Sequence, residues 1–397
     1  MSTRVIDTLK REKLLEIISE LNIELKGKNY FRNDDLKNLI INALKNTATN
    51  YQNKKYIFPK VKKLVAIGDL HGDLVATIKA LKLAQVIDKN LPNMTRDINK
   101  IQWVGGKTVI VQLGDQIDRV RPAKLINNLC PENDSEINAD EGSDLKIICL
   151  FEKLHKEAVK QGGAVYSILG NHELMNVDCD FRYVSPREFR EFGNHFKEPR
   201  TNDTSYPYGY ESRKKAFEPG GIISKKLAQF RYSVLQVGSW LFVHGGISLK
   251  CAESFLLNDI NYNVSCWLDG KKSPQIMNYI QNVYHNDDEN MSPFWTRVYS
   301  DLDQWDEYES SKEFLRTIDT LNINNKRNNN NMIRGMIVGH SPQFMYNKGL
   351  NSACNNKLWR TDVGMSRAFG KINKCEDRKV QVLVIVNDYQ FKILQEE

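Results

Sequence analysis

Five polar clusters along the sequence contain residue types that bind divalent metal ions. They read GDLHGD, GDQIDR, GNHE, HGG and GHS, in that order along the 397-residue chain. A pair of hard or borderline divalent ions needs carboxylates, imidazoles and a neutral oxygen donor, with one anionic group bridging both ions. The clusters supply six candidate ligands of these types: Asp69, His71, Asp115, Asn171, His244 and His340.

The spacing within and between the clusters favours ligation over chance. Asp69 and His71 are two residues apart, so on an extended turn both side chains can face one ion. Asp115 is the natural bridging carboxylate, and glycines beside the ligands let the backbone turn tightly where ions and substrate approach. One such cluster alone is usually structural. Four of the seven histidines, however, follow apolar runs beside a glycine, and this ordered set predicts a dinuclear metal centre.

The elements that position these clusters are short apolar runs typical of buried strands. VKKLVAI, KTVIVQL, AVYSIL, WLFV and MIV each end at one of the five clusters. Stretches with helical character, at residues 74–84 and 145–160, separate some of the runs. This alternation predicts an α/β fold, a β-sandwich flanked by helices. Polar residues just past strand ends converge at one edge of the sheets, where α/β proteins bind ligands.

The N-terminal segment differs from the rest in charge. Residues 1–63 contain 14 Lys or Arg against seven Asp or Glu, and this surplus equals the net charge of +7 of the whole chain. Helical periodicity at 9–22 and 33–45 predicts a small basic helical unit over residues 1–50, a linker over 51–59 and a catalytic domain over 60–397. The unit weakly resembles a SAP-type nucleic-acid-binding module. A structural or protein-docking helical unit is the alternative.

Composition limits the location and class of the protein. Its longest apolar runs are too short to span a membrane, and the N-terminus lacks the apolar core of a secretory signal peptide. The seven scattered cysteines form no C-x-x-C pair, so they predict a reducing compartment. We therefore expect an intracellular protein, cytoplasmic or nuclear. Frequent Asn and Lys are compatible with an AT-rich genome, such as that of a protist or a large DNA virus. The acidic stretch 130–144 is predicted to be an exposed loop with solvated carboxylates.

At this point the ordered motifs resemble a known family. The five clusters are similar to those of calcineurin-like metallophosphoesterases, and GDQIDR with GNHE resembles the phosphoprotein phosphatase branch. AFEPGGIISKKLAQF before WLFVHGG, and LWRTDVGMSRAFG after GHSP, resemble the Shewanella-like, bacterial-type protein phosphatases. The resemblance covers about residues 60–390. It implies a metallophosphoesterase-type sandwich and a metal-dependent phosphoserine or phosphothreonine phosphatase.

The resemblance also implies a role for each matching residue. Asp69, His71 and Asp115 would hold one ion, and Asp115, Asn171, His244 and His340 the other. The ions would be Mn, Fe or Zn, with Mn favoured, and a hydroxide bridging them would be the nucleophile. His172 would protonate the leaving oxygen, Asp118 would orient His172, and Arg119 would bind phosphate. Arg297 is the candidate for a second phosphate clamp, although it could equally pack on the ring of Trp295.

Other functions remain open at this stage. A diadenosine tetraphosphate hydrolase shares the GDxxDR and GNHE motifs, although the DVGMS segment favours the protein phosphatase branch. A nuclease of the same superfamily usually lacks the arginine of GDxxDR, so Arg119 argues against it. A non-catalytic binding protein on this scaffold would be expected to lose a metal ligand or the general acid, and here all eight core positions are present. The expected substrate is a phosphorylated protein or a small phosphoester.

Overall fold

The computed structural model describes residues 10–20, 32–40, 51–121, 140–200, 205–300, 307–327, 331–370 and 378–397. The chain divides into two compact units, Met1–Lys55 and Tyr56–Glu397. In the first unit, helix α1 spans Arg11–Glu20, residues 33–40 are helical, and a 3-10 turn spans Tyr51–Asn53. Leu14 and Leu36, on the predicted apolar faces, are buried. The predicted continuation of the second helix over 41–45 lies outside the described residues.

The second unit contains two six-stranded sheets. The strands are β1 (Ile57–Phe58), β2 (Lys63–Ile67), β3 (Val109–Gln112), β4 (Ala164–Ile168), β5 (Arg231–Tyr232), β6 (Val234–Val237), β7 (Trp240–Val243), β8 (Gly335–Val338), β9 (Asn351–Ala353), β10 (Leu358–Arg360), β11 (Gln381–Val386) and β12 (Gln390–Gln395). One sheet has the order β1-β6-β7-β8-β10-β9 and the other β12-β11-β2-β3-β4-β5. Strands β2 to β5 are parallel, and so are β7, β8 and β10.

Helices connect the strands and cover the sheets. They are α2 (Leu74–Leu83), α3 (Asp144–Lys160), α4 (Asn171–Val177), α5 (Pro186–His195), α6 (Tyr210–Phe217), α7 (Ile222–Phe230), α8 (Leu249–Ser254), α9 (Leu257–Leu268), α10 (Pro274–Val283) and α11 (Glu307–Asn324). Short 3-10 turns occur at Ile98–Lys100, Glu289–Met291, Gln343–Tyr346 and Arg367–Phe369. Asp73 begins α2 by accepting a hydrogen bond from the Ala76 amide, so a polar residue of the first cluster also caps a helix.

A single apolar core joins both sheets and their flanking helices. It includes β3 residues, such as Val111, together with Phe242 of β7 and Leu154 of α3. Phe391 of β12 packs against the ring of Trp240 in the opposite sheet, with ring centroids 5.3 Å apart. Because aliphatic and aromatic side chains of both inner faces share this core, the two sheets form a sandwich. The predicted α/β sandwich is therefore confirmed.

The observed strands match the apolar runs of the sequence closely. Each of the five predicted apolar runs overlaps one strand, and each of these strands ends one to three residues before a candidate ligand. The strands are β2, β3, β4, β7 and β8. Residues 57–58 differ, because the sequence places them in a linker and the structure pairs them in parallel with β6. Ile57 and Phe58 are a β-branched and an aromatic residue, types that favour a half-buried edge strand. Within the described residues, no helix combines the length and apolarity needed to cross a membrane.

Candidate metal centre

Four of the five clusters line one cavity of about 430 Å³ at the strand ends, and His244 of the remaining cluster lies 3.3 Å from Asp115 in its wall. Its lining includes six of the residues singled out from sequence: His71, Asp115, Asn171, His172, His340 and Arg297. Aromatic side chains form much of the remaining wall: Tyr183, Tyr284, Trp295 and Phe369. The fold thus brings together polar groups from segments more than 200 residues apart in sequence.

Asp115 lies at the middle of the cluster. Its Oδ2 is 3.8 Å from Nε2 of His71 on one side and 3.3 Å from Nε2 of His244 on the other. Burial opposes ionisation of Asp115, but the charges of His244 and His172 outweigh this and hold its pKa well below the usual value. A carboxylate that stays ionised between two imidazole groups has the chemistry of a bridging ligand.

One candidate set of donors consists of Asp115, Asn171, His244 and His340, and Asn171 adds an amide oxygen to it. Nε2 of His244 lies 3.0 Å from Oδ1 of Asn171, and its Nδ1 lies 2.7 Å from the carbonyl oxygen of Leu113. Asp115, His244 and His340 can bring their donor atoms within 4.8 Å of one another. The contact with Leu113 fixes which ring nitrogen of His244 faces the other donors, as is usual for a metal-binding histidine.

The other candidate set of donors, Asp69, His71 and Asp115, contains a buried carboxylate oxygen of Asp69 that needs a cation. Oδ2 of Asp69 accepts a hydrogen bond of 2.9 Å from the His340 amide, whereas Oδ1 has no hydrogen-bonding partner among the described residues. Burial, together with the charges of Asp362 and Asp115, raises the pKa of Asp69 well above its usual value. A buried, unpartnered carboxylate beside other acids is unfavourable without a positive charge. The donor set therefore fits a pair of divalent ions.

The ligand histidines have electrostatic properties that suit metal binding. Burial, with the charges of Arg121 and His172, lowers the pKa of His71 well below 6.5. Burial, with the charges of His244 and Arg297, lowers the pKa of His340 in the same way. A histidine must be deprotonated to bind a metal ion, so both rings are held in the required state at neutral pH.

Several site residues have a strained backbone. His71, Asp115 and His340 have φ angles of 42°, 50° and 68°, and Asp118 has 74°. Residues other than glycine rarely adopt this left-handed region, which costs of order 1–3 kcal/mol each and persists where the surroundings fix it. Here the strain turns three ligands sharply out of the strand direction and toward the common cavity.

Glu173 holds the loop that carries the bridging carboxylate. One of its oxygens accepts from the amides of Gly170 (2.7 Å) and Asp115 (3.0 Å), and the other accepts from that of Gln116 (2.7 Å). Burial and the charge of Asp115 raise the pKa of Glu173 to about 7. Glu173 thus ties the GNHE motif to the GDQIDR motif through backbone contacts.

His172 is oriented by a buried polar network. Its Nδ1 lies 2.8 Å from Oδ2 of Asp118, and its Nε2 lies 3.8 Å from Oδ2 of Asp115. Asn176 donates to both oxygens of Asp118, at 3.0 and 3.1 Å. Arg213 donates to Oδ1 of Asp118 at 3.0 Å. The imidazole is therefore fixed with Nε2 toward the centre of the cavity.

The arginine of GDQIDR lies away from the cavity. Nη1 of Arg119 pairs with Oδ2 of Asp73 at 2.7 Å and donates to Ser366 at 3.0 Å, and the side chain is buried. Burial disfavours the Asp73 carboxylate, but hydrogen bonds and charge from Arg367 and Arg119 hold its pKa below the usual value. The guanidinium of Arg119 is engaged by Asp73 and does not line the cavity, and the phosphate contact expected of Arg119 stays a prediction. Arg297, by contrast, lines the cavity as expected.

The structure adds functional positions that motif reasoning did not single out. Asp362 is buried beside Asp69, and burial raises its pKa to about 6. Arg213 pairs with Asp144 at 2.8 Å as well as with Asp118. Asp362 lies in the DVGMS segment, which served only as a family marker. Asp140 and Asp144 fall in the stretch 130–144 that was predicted to be solvated, and the prediction is wrong for both, because both are buried and Asp144 pairs with an arginine 69 residues away; residues 130–139 lie outside the described residues.

Three comparisons with known proteins agree with this geometry. A family model described as calcineurin-like phosphoesterase matches residues 62–344. Shewanella-like protein phosphatase 2 of Arabidopsis thaliana is 30% identical over 85% of this chain and 78% of its own length. Shewanella-like protein phosphatase 1 of Plasmodium berghei is 26% identical over 88% of this chain and 81% of its own length. The solved cold-active protein-tyrosine phosphatase of a psychrophilic Shewanella species has a TM-score of 0.53 and 19% identity, covering 86% and 82% of the two chains.

Proposed function

Because this chain belongs to the calcineurin-like phosphoesterase family, we propose that it is a two-metal phosphatase of phosphorylated proteins. Phosphoserine and phosphothreonine are its proposed substrates. The observation that carries the proposal is Asp115, whose Oδ2 lies 3.3 to 3.8 Å from Nε2 of His71, His172 and His244. An ionised carboxylate in that position can bridge two ions and also face the histidine that supplies a proton.

The proposed ligands form two sets that share Asp115. Asp69, His71 and Asp115 would hold one ion, and Asp115, Asn171, His244 and His340 the other. Two divalent ions, when bound, supply Lewis acidity and a nucleophile from water at neutral pH. The mixed nitrogen and oxygen donors suit Mn, Fe or Zn, and Mn is our preferred ion. The unpartnered Oδ1 of Asp69 supports this assignment.

His172 is the proposed general acid. Asp118 accepts the hydrogen bond from Nδ1–H, so the proton given to the leaving oxygen is carried on Nε2. Nε2 faces the same space as Asp115, which is where the scissile bond must lie for the transfer. Arg297, which is half-exposed at the cavity, remains the candidate for an outer phosphate contact.

A phosphotyrosine substrate is the second candidate, on one specific observation. Tyr183, Tyr284, Trp295 and Phe369 line the cavity, and aromatic walls can stack on the ring of an aryl phosphate. The solved Shewanella protein of similar fold is a protein-tyrosine phosphatase. Aromatic walls also stack on adenine rings, so the dinucleotide hydrolase stays as an outcome of the test.

The test compares three substrates and three proteins. Wild type, His172→Ala and Asp115→Asn, each prepared with Mn²⁺, are assayed on a phosphoserine peptide, a phosphotyrosine peptide and diadenosine tetraphosphate. Release of phosphate from the phosphoserine peptide, lost in both variants, is the expected result. Turnover of the phosphotyrosine peptide alone would select the second candidate. Turnover of the dinucleotide alone would contradict the protein phosphatase assignment while leaving the metal centre intact.

Residues 1–50 are proposed to dock nucleic acid or a partner protein, together with the basic stretch that follows them: residues 1–63 hold a surplus of seven positive charges, of which residues 1–50 hold two. Only residues 10–20 and 32–40 of this segment lie in the described structure. Deletion of residues 1–50 should leave phosphatase activity unchanged and weaken salt-dependent binding to DNA or RNA or alter localisation. If the deletion changes neither binding nor localisation, the docking role is wrong. The expected intracellular location also stays a prediction.

A further inference from the structure

The cavity contains more positive charge than the motifs predict. Arg121, Arg182 and Arg297 all line it. Arg182 is neutralised by Asp180, because its Nε lies 2.9 Å from each carboxylate oxygen. Arg297 has a side chain that is 48% exposed, and its Nη1 lies 3.6 Å from Glu289. Arg121 differs from both, because its hydrogen-bond partners are neutral groups and not carboxylates.

Arg121 is anchored by neutral groups. Its Nη1 donates to the carbonyl oxygens of Val120 at 2.7 Å and Asp118 at 3.2 Å. The guanidinium carbon lies 4.8 Å from the centroid of the Phe369 ring and 5.3 Å from that of Tyr183. These contacts fix the plane of the group on one side and leave Nη2 facing the cavity.

The Nη2 edge of Arg121 reaches the metal centre. Nη2 lies 2.7 Å from Nε2 and 2.8 Å from Nδ1 of His71, one of the proposed ligands. Within the part of the chain that the structure describes, no carboxylate lies at ion-pair distance from Arg121. A half-buried guanidinium is always charged in practice, and the hydrogen-bond partners of Arg121 are all neutral groups, so an anion in the cavity would balance its charge. A planar fork facing a cavity is the group best suited to bind phosphoryl oxygens.

Arg119 is already committed elsewhere. Its charge is matched by Asp73 within a buried network, so turning it to a ligand would break that ion pair and leave Asp73 to Arg367 alone. Arg121 can contact a ligand without breaking any ion pair. We infer that Arg121, two residues beyond the motif arginine, binds the phosphoryl oxygens of the substrate and of the product phosphate. This inference rests on the proposed function, since it places the phosphoryl group in the same cavity.

The test measures binding of inorganic phosphate rather than turnover. Mn²⁺-loaded wild type, Arg121→Gln, Arg121→Lys and Arg182→Gln are titrated with inorganic phosphate by calorimetry, and bound manganese is quantified by mass spectrometry. Arg182→Gln is the matched control, because it removes a cavity arginine whose charge Asp180 already balances. Steady-state KM and kcat are measured in parallel on p-nitrophenyl phosphate.

We expect Arg121→Gln to raise the Kd for phosphate by roughly 10- to 100-fold, which is the loss expected for charge-assisted hydrogen bonds. Bound manganese should be unchanged, and Arg121→Lys should recover part of the affinity. Arg182→Gln should change the Kd by less than about threefold, as for a balanced exposed pair.

Two results would overturn the inference. One is wild-type phosphate affinity in Arg121→Gln at unchanged metal content. The other is loss of bound manganese from Arg121→Gln but not from Arg182→Gln, which would assign Arg121 to the metal centre. If wild type binds phosphate but hydrolyses no phosphoester, the proposed function fails. A raised Kd in Arg121→Gln at unchanged metal content would still support Arg121 as the phosphate-binding residue.

Discussion

Nδ1 of His172 lies 2.8 Å from Oδ2 of Asp118, and this contact is the innermost link of a buried network. Asn176 and Arg213 hold Asp118 from the other side, so its second oxygen cannot swing away. The arrangement sets the ring orientation of His172 before any substrate arrives. Such preorganisation is what a proton donor needs when the leaving oxygen must be protonated in the transition state.

The first prediction follows from that geometry and concerns the leaving group. His172→Ala should lower kcat on a phosphoserine peptide by about 100- to 10,000-fold, the usual contribution of a positioned acid. The loss should be much smaller on p-nitrophenyl phosphate, because nitrophenolate departs without a proton. Steady-state assays on both substrates, with bound metal measured in each protein, check this. Equal losses on the two substrates at full metal content would show that His172 is not the acid.

The second prediction concerns the pair formed by Arg119 and Asp73. Asp73 is held by both Arg119 and Arg367, so Arg119→Met removes one of two buried charge-assisted contacts and should lower the free energy of unfolding by about 2 kcal/mol. Asp73→Asn combined with Arg119→Met should recover part of this loss. Urea denaturation of the single and double variants measures both. An unchanged stability with a strongly raised KM would instead restore Arg119 to the phosphate-binding role that its motif predicts.

The third prediction concerns Glu173, whose oxygens accept three backbone hydrogen bonds from the GDQIDR and GNHE loops. Glutamine offers only one acceptor oxygen, so Glu173→Gln must release at least one amide and loosen the Asp115 loop. We expect a 10- to 100-fold loss in metal affinity, about the effect of removing a partner that orients ligands. Manganese titration measures this. A variant with wild-type affinity would mean that Asp115 is positioned without Glu173.

How far the sequence could predict this site is clear from individual residues. The six proposed ligands can be identified from the sequence, because each follows an apolar strand and has a type that binds metals. The left-handed backbone of His71, Asp115 and His340 could not be predicted from the sequence, since nothing in a non-glycine residue signals a positive φ. The contacts of the Arg119 side chain could not be predicted either, because one of its partners, Ser366, lies 247 residues away in sequence. Contacts of that separation depend on tertiary packing, which no local motif encodes.

The fourth prediction is a pH dependence of stability that arises away from the metal centre. Burial, partly offset by Lys146, raises the pKa of Glu191 to about 7 from its ordinary value of 4.5. Between these values the folded state keeps a proton that the unfolded state has lost. The contribution of Glu191 to stability is therefore full below pH 4.5 and is lost as pH rises through about 7.

Replacement by glutamine removes this titration. Glu191→Gln should raise the free energy of unfolding at pH 8 by about 1–2 kcal/mol relative to wild type and flatten its decline between pH 5 and 8. Glu253→Gln, at an exposed glutamate of α8, is the control and should leave the profile unchanged. Denaturation curves at several pH values give the comparison. Parallel profiles for wild type and Glu191→Gln would contradict the assignment.

The central claim, a catalytic pair of ions bridged by Asp115, is tested most directly by titrating metal-stripped protein with Mn²⁺. Bound metal and phosphate release from p-nitrophenyl phosphate are recorded at each point, for wild type and for Asp115→Asn. The account predicts that wild-type activity appears as the second ion binds. In Asp115→Asn the Kd for at least one ion should rise by more than about 100-fold, and no phosphate should be released. Activity that survives in Asp115→Asn, or wild type that fills both sites and stays inactive on every phosphoester tested, would contradict it.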